Sequence, residues 1–98
     1  MGENNNLIGR LVHSIQGRDN GKYYLVWREL ENGFVLLVDG DNRKILNPKK
    51  KSVKHLEITD VVLDNIRTKI LENKKIFDAE IYSNIKKTQI SNSENEEV

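Results

Sequence analysis

The run Tyr23-Tyr24-Leu25-Val26-Trp27-Arg28-Glu29-Leu30-Glu31-Asn32-Gly33-Phe34-Val35-Leu36-Leu37-Val38 decides how the rest of the chain is read. Residues 23–30 are rich in aromatic and β-branched side chains, whose bulk close to the backbone suits a pleated strand. Asn32-Gly33 tolerates positive φ, which a tight hairpin turn requires. Residues 34–38 then return as the partner strand. Side chains alternate across a strand, so Tyr23, Leu25 and Trp27 share one face and Tyr24 and Val26 the other. We expect the Tyr24 face to fill the interior and Tyr23 to be turned toward a ligand; the pattern also permits the opposite register.

The segments on either side extend the same logic. Residues 7–14 are short and apolar-rich, a strand. Gln16-Gly17-Arg18-Asp19-Asn20-Gly21-Lys22 is a loop, because Gly and Asn accept turn conformations. Asp39-Gly40-Asp41-Asn42 is a second turn. Arg43-Lys44-Ile45-Leu46 is read as a fourth strand, stopped by Asn47-Pro48, and residues 53–58 alternate as a fifth. Five short strands with tight turns in so few residues predict a small closed or half-closed barrel.

The period then changes. Thr59-Asp60 resembles an N-cap with an acidic first turn. Val62, Leu63, Ile66 and Ile70 recur at helical spacing, predicting a helix over 60–72 whose apolar stripe caps an open end of the barrel. Asp78 is read as a second N-cap, for a short helix from 79 to 88. The expected organisation is a flexible N-terminus (1–6), a barrel (7–58), a helical C-terminal extension (59–89) and a disordered acidic tail (90–98).

At 98 residues the chain has the size of one domain. It has no cysteine, which excludes disulfides and thiol chemistry. No apolar run approaches the roughly 20 residues that span a bilayer, and Met1-Gly2-Glu3-Asn4-Asn5-Asn6 lacks a signal-peptide pattern. A cytoplasmic location is expected, without membrane association. The formal charge of +1 hides an asymmetry. Residues 1–56 are net basic and residues 57–98 net acidic. From Arg43 to His55 the chain carries Arg43, Lys44, Lys49, Lys50, Lys51 and Lys54 with no acid between them. A one-sided cationic segment favours a polyanionic partner.

The stretch from Val12 to Val26, polar and apolar residues alternating about a glycine in a charged loop, resembles a KOW motif, with Gly21 as its central glycine. Asp39-Gly40-Asp41-Asn42-Arg43-Lys44, Pro48-Lys49-Lys50-Lys51, Lys54-His55-Leu56 and Asp78-Ala79-Glu80-Ile81 extend the likeness over residues 7–86. In these the chain is similar to small bacterial KOW-domain RNA-binding proteins, and to KOW-containing large-subunit ribosomal proteins of archaea and eukaryotes. The resemblance implies an SH3-like barrel, contact with RNA or the ribosome, and no enzymatic activity. One departure is Tyr24, where many KOW motifs carry a small glycine.

The candidate RNA-binding residues are Arg18, Lys22, Tyr23, Arg43, Lys44, Lys49, Lys50, Lys51, Lys54 and His55. Lysines and arginines neutralise phosphates and release counterions. Arg43 is suited to a bidentate phosphate contact. Tyr23 offers a ring for stacking. Two basic loops, around Arg18 and around Lys50, are expected on one side. His13 and His55 stand at no metal-ligand or nucleophile spacing, and no phosphate-cradling glycine motif is present. No cofactor, catalytic residue or small-molecule substrate is expected. The partners expected are RNA, above all ribosomal, and ribosomal proteins. The competing expectation is an SH3-like protein-interaction module of the transcription or translation machinery, motivated by the near-neutral charge and the helical stripe.

Overall fold

The computed structural model describes residues 6–97, with side chains as far as residue 89. The expected N-terminal arm thus lies outside the described residues but for Asn6, as do the side chains of the expected acidic tail. Five strands form one antiparallel sheet: β1 Arg10–Ser14, β2 Tyr23–Glu29, β3 Phe34–Val38, β4 Lys49–Ser52 and β5 Leu56–Val62. Two helices follow, α1 Asp64–Leu71 and α2 Asp78–Glu97. The strand order is β4-β3-β2-β1-β5.

The hairpin that anchors the reading forms as its residues dictate. Asn32 and Gly33 take φ of 63° and 79°, and the Leu30 amide donates to the Phe34 carbonyl at 2.8 Å. β2 and β3 then pair from Glu29↔Val35 to Leu25↔Val38, with a bulge between Val26 and Arg28.

The sheet is curled. Flat, its two edge strands would lie roughly 19 Å apart at the usual strand spacing. Yet β4 and β5, at opposite edges, are joined by only the 3-10 turn Val53–His55. The Lys51 ammonium on β4 also reaches the Ser14 hydroxyl on β1, three strands away in the sheet, at 2.9 Å. The ladder stops at β4 and at β5, so the sheet remains open between them.

Both faces of the curl carry apolar cores. Val12, Tyr24, Val26, Val35, Leu37 and Leu56 fill the concave side. Leu11, Leu25 and Val38 point to the convex side, where Leu63, Ile66 and Ile70 and then Ile81 and Ile85 of α2 cover them. Strands buried on two faces read as near-continuous apolar runs, which explains Tyr24-Leu25-Val26 and Val35-Leu36-Leu37-Val38. Tyr24 and Val26 do face the interior. The helices share a core with the sheet and are not an appended extension.

Four expectations are corrected. Residues 43–46 form no strand: they belong to a loop, and Leu46 is 96% exposed. The fourth strand is the lysine run itself, starting after Pro48, a position where a missing N–H costs a strand nothing. Lys44 is accordingly on the loop, and Lys54 on the 3-10 turn. The first helix starts at Asp64, because Val61 and Val62 prolong β5 and Thr59 donates its hydroxyl to the Leu11 carbonyl at 2.7 Å. Its stripe covers the convex face of the sheet, where an open barrel end was expected. Asp78 does not cap α2. Its carboxylate accepts the Ile45 amide at 2.8 Å, while Glu80 reaches back to the Phe77 amide at 3.3 Å, half of a capping box.

Candidate functional site

The β1–β2 loop is held down from inside. Asp19 is buried, and its Oδ1 accepts the Ser14 hydroxyl at 2.8 Å and the Lys51 ammonium at 2.6 Å. Lys51 also donates to the Gln16 carbonyl at 2.7 Å, and Lys49 lies 3.7 Å from Asp19 Oδ2. Burial pushes the Asp19 carboxyl up, but the hydrogen bonds from Lys51 and Ser14 and the charges of Lys51 and Lys49 outweigh it and hold the group at about 2. Tyr24 lies beside this cluster. Burial, with the charges of Asp19 and Asp39, pushes its phenol up to about 12.

This arrangement sorts the basic candidates. Lys51 turns inward, 9% exposed, and its ammonium is spent on Ser14, Gln16 and Asp19. Alternation along β4 sends Lys50 the other way, where its ammonium sits 4.9 Å from the centroid of the Phe34 ring. The next residues leave the strand: Ser52 accepts the Lys54 amide at 3.3 Å and starts the 3-10 turn that displays Lys54 and His55. The His55 carbonyl accepts the Ile15 amide at 3.0 Å, which fixes the turn against the end of β1.

A shallow groove of about 450 Å³ results, lined by Phe34, Lys49, Lys50, Lys51, Ser52, Lys54 and His55. Its lining contains no carboxylate. The exposed Arg18 is in the loop next to it, where Gly17 approaches the Lys51 ammonium. The other candidates lie elsewhere. Tyr23 is on the convex face, stacked on His13 with ring centroids 4.4 Å apart, and His13 in turn meets Glu57 at 3.2 Å. With Lys22 it borders a second depression beside Tyr82 and Lys86 of α2. Arg43 and Lys44 are on the β3–β4 loop, outside the groove lining. That loop is folded by Asp39, whose Oδ1 accepts the Asp41 and Arg43 amides, both at 2.8 Å.

Two pairings in and beside the groove were not legible in the sequence. Phe34 was readable, with Tyr23, Tyr24 and Trp27, as a ring on which an unpaired base could stack, but nothing local tied it to Lys50, sixteen positions on. Asp19 read as ordinary turn chemistry, and its partnership with Lys51 exists only once the sheet curls. The chain matches no protein-family model and no curated protein. Among the described residues, no helix is long and apolar enough to cross a membrane.

Proposed function

We propose that this protein is a non-enzymatic RNA-binding module of the KOW type, an SH3-like half-barrel whose basic groove takes a phosphate backbone. The observation that carries this reading is the groove itself: Lys50 and Lys54 are exposed beside His55 with no carboxylate in the lining, while the nearby Asp19 is taken up by Lys51 and Lys49. In such a place each lysine adds counterion-release affinity without demanding a base sequence. The curl of the sheet, the strand order and the short β4–β5 connection support the barrel reading. Ribosomal RNA is the partner class that the KOW resemblance favours, in a cytoplasmic setting.

The interaction-module alternative loses one of its two motives, the helical stripe, since Leu63, Ile66 and Ile70 are buried against the sheet. Pairing of a peptide strand along the outer edge of β4 is also disfavoured by a run of three lysines, a usual way of blunting an edge.

The test is Lys50→Glu with Lys54→Glu, both exposed in the structure. Lys51 is left alone, because reversing it would unfold the loop and confuse the result. Affinity for a structured ribosomal RNA fragment, measured by fluorescence anisotropy, should fall at least ten-fold while the thermal midpoint stays put. Unchanged affinity would sink the assignment.

A further inference from the structure

We infer that the groove is a site for unpaired nucleotides, with Phe34 as the ring on which a base stacks; this rests on the RNA-binding reading above. The argument starts from what Phe34 does not do. It is a large aromatic, half-buried, yet it belongs to neither apolar cluster. Its position at the start of β3 places it opposite Ser52, a small side chain. The Lys50 ammonium lies over its face, 4.9 Å from the ring centroid.

The lysine over the ring is itself exposed, so this contact can be exchanged for another. A nucleobase can take the place of the ammonium over the ring, and the ammonium then moves a short distance to a phosphate. Stacking on an aromatic is insensitive to base identity, and cations beside the ring hold the backbone. Lys54 and His55 stand on the same groove wall, on a turn fixed at both ends by Ser52 and Ile15. The backbone that carries them is thus ordered before ligand arrives. A continuous duplex has its base faces already stacked on one another and offers none to Phe34. The groove therefore discriminates by strandedness.

The experiment compares a fluorescein-labelled single-stranded 12-nucleotide oligouridylate with a 12-base-pair RNA duplex, using the full chain. Phe34→Leu keeps apolar bulk and removes the π face; Phe34→Tyr restores the ring. Expected for the intact protein is tighter binding of the single strand than of the duplex. Phe34→Leu should weaken single-strand binding by about ten-fold, leave duplex binding unchanged and be rescued by Phe34→Tyr, all with an unshifted thermal midpoint. Phe34→Leu binding the single strand as well as wild type, or a preference for duplex, would overturn the inference while leaving RNA binding standing. Failure of the intact protein to bind either RNA would overturn both.

Discussion

Lys51 and Asp19 show how much a single pair contributes. Both are nearly out of water, and neither charge is tolerable there alone. Lys51→Met should therefore cost about 3–5 kcal/mol in urea unfolding, because it strands a buried carboxylate. Adding Asp19→Asn should recover part of the loss, since a neutral pair has less desolvation to offset. The same carboxyl sets an acid limit. Its pKa is held down at about 2 from the ordinary 3.8, so its contribution is complete above pH 4 and is lost as pH falls toward 2. That contribution is about 2 kcal/mol, and the acid-induced part of it should vanish in the double variant. Two glycines separate conformational strain from collision. Gly21, at φ +94°, has nothing within 4 Å of a Cβ, whereas at Gly40, φ +78°, a Cβ would collide with the Asp78 carbonyl and lie 2.8 Å from the Tyr82 amide. Gly21→Ala should cost about 1–2 kcal/mol, and Gly40→Ala clearly more, read from the difference in thermal midpoint.

Among the elements, α2 is the one whose role is easiest to mistake. It closes the convex core with Ile81 and Ile85, and Glu80 joins it to α1 through Lys69 at 2.7 Å, an ion pair whose hydrogen bond holds the Glu80 carboxyl below its usual range. Ile81→Ala should destabilise the whole domain by about 2–5 kcal/mol in one cooperative transition; a dangling tail would yield almost no change. The first three strands and the Asn32-Gly33 turn were legible because local chemistry and burial agree there. β4 was not. Lysine is a poor strand former, and Ile45-Leu46 looked the better strand until the curl gave Lys51 an acid to meet and left Leu46 in solvent. The strand-to-helix boundary was placed four residues early for a similar reason. Thr59-Asp60 has capping chemistry, but the ladder to β1 extends to Val62 and takes Thr59 for its own. In the groove, the basic character was readable from composition. The selection of Lys50, Lys54 and His55 over Lys51, Arg43 and Lys44 depends on which way each side chain points after the sheet has bent.

For the molecule as a whole, a formal charge of +1 gives little overall attraction to a polyanion. Binding must come from the local field of the groove and its neighbour Arg18. If roughly three to four phosphates are neutralised there, the logarithm of single-strand affinity should fall against the logarithm of salt with a slope of about −2 to −3. A slope near zero in an anisotropy titration would mean the lysines are only solvated.

The strand order also has a consequence in time. β1 pairs with β2 a few residues downstream, but its other edge waits for β5, where Val12 meets Ile58 and Ser14 meets Leu56. During synthesis the three-strand meander can assemble once Val38 has been made. At roughly 5–20 residues per second, β5 is complete only about one to five seconds later. Throughout that interval one side of β1 is a bare template, so the nascent chain is most open to mispairing just before its lysine run and β5 emerge.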